Sequence, residues 1–229
     1  DAKGAIWFGN DNFNVYDGRI VRSFRLSNYL EEVEDNNIHG ICGDGDSCIY
    51  MLANRRLVFF NMRTEEFRLT TVLAHTLEYR DGTLYYAYRN ELYRYKSNGV
   101  SEKLCALPDS TLIIKDLYYV NDGWLMATTK GLYRFSDGTF QNLLENESIT
   151  SLFVDYWGRL WVGTLANGAK VFSEGKWIAL REDDAVHPLI NDQVRSINQD
   201  IKGNIWIGTY AGITVVNPFL QDYYHLSHK

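Results

Sequence analysis

Apolar residues in this chain fall in short alternating runs and not on a helical period. Ile149–Val154, Leu160-Trp161-Val162 and Val194–Gln199 are such runs, and Gly, Asn and Asp punctuate the intervals between them. Alternation with a period of two predicts half-buried β-strands, and turn residues at regular intervals predict strands joined as hairpins. The pattern points to an all-β chain.

The runs repeat. Asp1-Ala2-Lys3-Gly4-Ala5-Ile6-Trp7-Phe8-Gly9, Asp155-Tyr156-Trp157-Gly158-Arg159-Leu160-Trp161-Val162-Gly163 and Asp200-Ile201-Lys202-Gly203-Asn204-Ile205-Trp206-Ile207-Gly208 share the form D-x-x-G-x-[IL]-W-x-G. Weaker copies run from Asp46 to Leu52, Arg80 to Ala87 and Asn121 to Thr129. With anchors at Trp7, Tyr50, Tyr85, Met126, Trp161 and Trp206, the spacings are 43, 35, 41, 35 and 45. A period near 40 residues is that of a four-stranded propeller blade. A second motif trails each anchor: Gly131-Leu132-Tyr133-Arg134-Phe135 parallels Glu91-Leu92-Tyr93-Arg94-Tyr95.

Each copy decodes into four strands. A first strand leads into the D-x-x-G turn, where Asp accepts backbone amides and Gly supplies a positive φ. The anchor strand follows, then a third strand such as Leu132–Phe135, then an outer one such as Phe140–Leu143, Lys176–Leu180 or Tyr223–Leu226. The predicted fold is an all-β β-propeller segment over residues 1–229. About six blades are present, an incomplete part of a seven-bladed ring. The chain starts at the turn after a first strand and stops at Leu226-Ser227-His228-Lys229, which aligns with Leu189-Ile190-Asn191-Asp192. The reading therefore expects a longer polypeptide.

Composition narrows the function classes. The net charge of −6, without a Lys/Arg cluster denser than Arg55-Arg56, is the wrong sign for a phosphate-backbone binder and argues against nucleic acid. No apolar run approaches the ~18 residues of a membrane span, so no membrane contact is expected of this segment. Three cysteines cannot make a disulfide framework; Cys42 and Cys48 could bridge, and buried small hydrophobes are the favoured reading.

The D-x-x-G-x-[IL]-W-[IV]-G-T…G-[IL] pattern, clearest in Asp155–Thr164 with Gly168 and in Asp200–Thr209 with Gly212-Ile213, resembles the two-component regulator propeller repeat. The resemblance covers the whole chain; the copies at Tyr50, Tyr85 and Met126 depart from it by lacking the Trp. It implies a seven-bladed propeller in the extracytoplasmic sensor portion of a hybrid two-component regulator, on the periplasmic or extracellular face of a bacterial membrane, and a glycan ligand. It also implies neighbouring propeller or sensor domains in the same chain as partners, and a homodimer is open.

No catalytic signature accompanies the repeats. G-x-S-x-G, H-E-x-x-H and Walker-type loops are absent. His39, His75, His187, His225 and His228 fall at scattered repeat phases. Asp44-Gly45-Asp46 lacks the later carboxylate and glycine of a calcium loop, so no metal or cofactor is expected. The repeated aspartates read as turn residues.

Binding residues are sought in the loops joining second to third strands and blade to blade, which emerge on one face of a propeller. Arg55, Arg89 and Lys130 would form a cationic arc beside Asn167 and Tyr210, suited to an acidic or uronic-acid-bearing oligosaccharide: Arg grips carboxylates bidentately and Tyr offers a sugar a stacking face. His187 sits in the longest inter-blade loop, Arg181–Asp192, a lid or domain contact. The same residues also read as solvated loop tips. A sensor segment is the leading function; a binding scaffold without signalling and a propeller lyase or glycosidase are the alternatives.

Overall fold

The computed structural model describes residues 4–9, 11–33, 37–96, 98–121, 123–185 and 188–217, and the backbone of 222–227. Its order is strand after strand, with one short 3-10 turn at Leu26–Asn28. The chain divides into two compact units, Asp1–Ile114 and Lys115–Lys229.

The first unit holds three sheets, each an antiparallel meander. The first is β1 (Ile6–Gly9), β2 (Phe13–Tyr16) and β3 (Val21–Phe24). The second is β4 (Ile38–Gly43), β5 (Cys48–Ala53), β6 (Arg56–Asn61) and β7 (Phe67–Leu73). The third is β8 (Thr76–Arg80), β9 (Thr83–Tyr88), β10 (Glu91–Tyr95) and β11 (Ser101–Ala106). Three four-stranded sheets follow. These are β12 (Ile114–Val120), β13 (Gly123–Thr128), β14 (Gly131–Ser136) and β15 (Thr139–Glu145), then β16 (Ile149–Val154), β17 (Leu160–Thr164), β18 (Ala169–Ser173) and β19 (Lys176–Leu180). The last is β20 (Val194–Gln199), β21 (Ile205–Thr209), β22 (Gly212–Asn217) and β23 (Asp222–Ser227). Consecutive meander sheets of this kind are propeller blades, and the predicted all-β propeller fold is the one observed.

The D-x-x-G turn shows why the repeat exists. Asp155 Oδ1 accepts the backbone N–H of Trp157 and of Arg159, and its Oδ2 accepts Arg159 Nε and the indole Nε1 of Trp161. Asp200 does the same with Lys202 N, Asn204 N, Asn204 Nδ2 and Trp206 Nε1. One carboxylate thus ties the turn to the anchor residue six positions on, and Gly158 supplies the positive φ (77°) that closes it. Asp1 and its turn lie outside the described residues, except for Gly4.

At the other end of the anchor strand a threonine closes the next turn. The hydroxyls of Thr128, Thr164 and Thr209 each donate 2.8 Å bonds to the carbonyls of Gly131, Gly168 and Gly212. Backbone bonds then fasten two of these turns to the connections between sheets, Leu165 N–H to Ser148 O and Tyr210 N–H to Gln193 O, and in the second sheet Ala74 N–H to Arg55 O does the same. The two loop classes therefore share one end of the sheets, as the strand assignment predicts.

The core lies between successive sheets. Phe13, Phe60, Met51 and Ile38 fill the space between the first and second sheets, with Phe13 and Phe60 ring centroids 5.1 Å apart. Removing each such ring from water contributes about 1.5–3 kcal/mol. Leu125, Leu132, Ile149 and Val162 join the fourth sheet to the fifth, and Trp161, Val194, Ile197 and Ile205 join the fifth to the sixth. Small residues let the sheets approach: a Cβ on Gly163 would stand 2.5 Å from Val194 Cγ1 and 2.6 Å from Ser151 Oγ. Cys42, Cys48 and Cys105 are free thiols.

Candidate functional site

Each unit presents its own set of turn tips. In the first, Arg55 and Arg89 occupy the turns between second and third strands of consecutive sheets. Asn54, Arg55 and Arg89 have φ of 48°, 66° and 54°, the left-handed backbone that a tight hairpin requires. Both arginines are exposed, and neither side chain makes a hydrogen bond or ion pair among the described residues. The Arg89 guanidinium lies 5.6 Å from the Tyr88 ring centroid.

In the second unit Lys130, Asn167 and Tyr210 hold equivalent turns on its three sheets. Lys130 donates its backbone N–H to Thr128 Oγ1. Tyr210 is 74 % exposed, a flat apolar face turned to solvent. His187 falls outside the described residues.

Asn167 is drawn into a side-chain network. Its Nδ2 donates to Glu147 Oε2 at 2.9 Å, and its Oδ1 accepts Arg181 Nη2 at 2.7 Å. Lys170 Nζ reaches Glu147 Oε1 at 2.5 Å. The four side chains and Ala179 line a cavity of about 160 Å³. Glu147 is a charged residue with only 8 % of its surface exposed, on the connection between the fourth and fifth sheets. Lys170 and Ala179 face each other across the β18–β19 pair, and Arg181 follows β19 directly. The cluster is thus built by the third and fourth strands of one sheet together with the Asn167 turn and the residues flanking the sheet.

Burying Glu147 costs free energy that Lys170 and Asn167 offset only while both remain in place. The sequence reading omits Glu147, Lys170 and Arg181 because no motif marks them. The signal present was the unusual length of the Leu165-Ala166-Asn167 turn, one residue longer than its counterparts at Thr129-Lys130 and Tyr210-Ala211.

A second cavity, of about 410 Å³, is apolar and belongs to the first unit, where Trp7, Ile6, Ile41, Cys42, Ile49 and Met62 border it. Among the described residues no group of three or more His, Cys, Asp or Glu is placed to hold a metal ion. Asp44 is occupied by its own turn: Oδ1 accepts the N–H groups of Asp46, Ser47 and Cys48, and Oδ2 accepts the Ser47 hydroxyl. No described helix is long and apolar enough to cross a membrane.

The model of the two-component regulator propeller family matches residues 143–166 and 188–211, each spanning a turn and anchor strand of the fifth or sixth sheet. These two stretches of the chain are similar to the two-component regulator propeller repeat. The matched residues include Glu147, both Asp–Trp pairs, Thr164 and Thr209.

Solved structures extend the likeness across the chain. The extracellular domain assigned to hybrid two-component system BT3049 of B. thetaiotaomicron is 23 % identical at a TM-score of 0.74, over 93 % of this chain and 32 % of that one. The extracellular domain of the one-component system BT4673 from the same organism is 19 % identical at a TM-score of 0.52, over 97 % of this chain and 40 % of that one. A catalytically inactive virginiamycin B lyase from Staphylococcus aureus, solved with quinupristin, is 10 % identical at a TM-score of 0.80, over 99 % of this chain and 82 % of that one. The chain spans a third to two-fifths of the two extracellular domains. No curated protein sequence matches it. At these identities the structural likeness establishes the propeller fold, common to receptors and lyases alike.

Proposed function

We propose that this chain is an extracytoplasmic ligand-sensing segment of a two-component signal-transduction receptor, non-catalytic in itself. The observation that carries the reading is the pair of repeats at residues 143–166 and 188–211. The fold likeness to extracellular domains of such receptors agrees with it. The segment then stands on the periplasmic or extracellular side of the membrane, with further domains of the same polypeptide, and potentially a second copy, as its contacts.

The ligand in this proposal is an oligosaccharide bound at the sheet ends that carry the second-to-third-strand turns. Arg55 and Arg89 in the first unit, and Tyr210 with the Asn167 network in the second, supply charge, a stacking face and hydrogen-bond partners there. The sheets themselves act as rigid platforms. A ligand changes the output by binding one arrangement of the receptor's domains better than another, and the shift is bounded by that difference in affinity.

Calorimetry of the full-length protein with neutral and charged oligosaccharides tests the reading, with Arg89→Ala as a variant on the loop end. Saturable binding is expected. Absence of binding across the panel would move the function to a protein-binding scaffold.

A further inference from the structure

The cavity between Glu147, Asn167, Lys170 and Arg181 has a definite chemical bias. Glu147 already accepts a bond on each oxygen, from Lys170 and Asn167, and Asn167 Oδ1 is taken by Arg181. The N–H groups are spent far less. Lys170 uses one of its three donors and Asn167 Nδ2 one of its two. Arg181 Nε is shut off from solvent and makes no hydrogen bond, with Asp192 Oδ2 3.8 Å away. Two cations, Lys170 and Arg181, line the cavity with the Glu147 carboxylate, and the Asp192 carboxylate pairs with Arg181 from beside it.

Unspent N–H donors call for an oxygen acceptor, and Asp192 at 3.8 Å is too far to satisfy Arg181 Nε by a hydrogen bond. A planar carboxylate suits them best, because a guanidinium and a neighbouring amide or ammonium can meet its two oxygens together. The size restricts the occupant further. About 160 Å³ is below the roughly 300–1,000 Å³ of pockets that enclose a whole small-molecule ligand. The space takes one end group, and the remainder of the ligand stays outside toward the turns.

We infer that this cavity is a carboxylate subsite, with Arg181, Lys170 and Asn167 as donors and Glu147 as the buried group that positions Lys170 and Asn167. The carboxylate can come from a sugar acid or from a free organic acid. The inference rests on the sensing proposal only for the origin of the ligand; the site chemistry is independent of it.

The test is calorimetry on the full-length protein with four probes: glucuronate, its methyl ester, glucose and acetate. Glucuronate is expected to bind saturably and at least about tenfold more tightly than its ester or glucose, the factor set by one charge-assisted contact. Acetate binding as tightly as glucuronate would assign the site to free carboxylates; acetate binding much more weakly would assign it to sugar acids. Both outcomes keep the carboxylate. Arg181→Gln is expected to weaken glucuronate about tenfold with an unchanged melting temperature, and Arg181→Lys, which keeps the charge without the fork, to fall between. Equal binding of glucuronate and its ester, no binding by any carboxylate, or affinity untouched in both variants would overturn the inference. None of these would remove the sensing proposal, which a neutral oligosaccharide can satisfy.

Discussion

Trp161 donates its indole N–H to Asp155 Oδ2 at 2.9 Å, six residues back along the chain. Trp206 repeats the bond to Asp200 at 3.0 Å. The aspartate of the repeat is therefore both the organiser of its turn and the acceptor that makes tryptophan the fitting residue on the following strand. In the second sheet Asp44 organises the same turn, but the Ser47 hydroxyl takes the oxygen that an indole would use, and Tyr50 stands at the anchor. The third sheet makes the turn with two residues, Asp81 and Gly82, at φ 47° and 76°; Tyr85 follows it.

Asp155→Ala should cost about 3 kcal/mol, since it strips a buried group of four bonds and leaves Arg159 Nε and the Trp161 indole without their acceptor. Trp161→Phe keeps the ring and removes only the N–H, so about 1 kcal/mol is expected. Urea unfolding of both variants and the double variant measures the coupling; additive effects would show that the two residues do not act together.

Two of these turn carboxylates should make the protein acid-sensitive over a definite range. The Trp206 indole and the Asn204 side chain hold the Asp200 carboxyl down at about 2. Burial raises that of Asp44, but the Cys48 amide, the Ser47 hydroxyl and amide and the Asp46 amide outweigh it and bring it to about 2. An unfolded Asp protonates near pH ~3.9. The folded form is thus favoured fully above that pH, and the contribution is lost as pH falls through about 2. NMR titration of Asp200 in Trp206→Phe should show its carboxyl moving up, and an unmoved midpoint would deny the indole its role.

The glycines divide into two kinds. Gly163→Ala should destabilise by about 1–3 kcal/mol through overpacking against Val194 and Ser151. Gly158 has open space around a would-be Cβ and a φ of 77°, so Gly158→Ala should cost about 1–2 kcal/mol through the backbone alone. Thermal unfolding supplemented by Gly163→Ala/Val194→Ala separates them: trimming Val194 should relieve part of the first cost and none of the second.

Burial pushes the Cys42 thiol well above its ordinary range, and that of Cys105 up to about 12. Native protein should therefore react slowly with iodoacetamide at neutral pH, and mass spectrometry should find three thiols, with no bridge between Cys42 and Cys48. Rapid labelling of Cys42 would contradict this and show its thiol to be reachable through the cavity it borders.

The propeller was legible because its strongest signals are local. Asp155, Gly158, Trp161 and Thr164 lie within one hairpin, where spacing alone fixes who meets whom. The fourth copy shows the limit: its weak motif suggests an anchor at Met126, while Leu125 is the side chain packed with Ile149 and Val162 against the fifth sheet. Without an Asp–Trp bond, only strand pairing sets that register. The turn at Asp44 escapes the D-x-x-G pattern because its glycine, Gly45, stands at the second position and not the fourth. The polar cavity was illegible for another reason. Glu147, Asn167, Lys170 and Arg181 come from four separate segments, and only the folding of the fifth sheet against its preceding connection assembles them.

Hydrogen exchange of the full-length protein, with and without an oligosaccharide that it binds, tests the sensing account most directly. The account predicts slowed exchange at the connections and turns around Ser148, Leu165 and Arg181, with little change in the strands. Unaltered exchange throughout residues 1–229 in the presence of saturating ligand would contradict it.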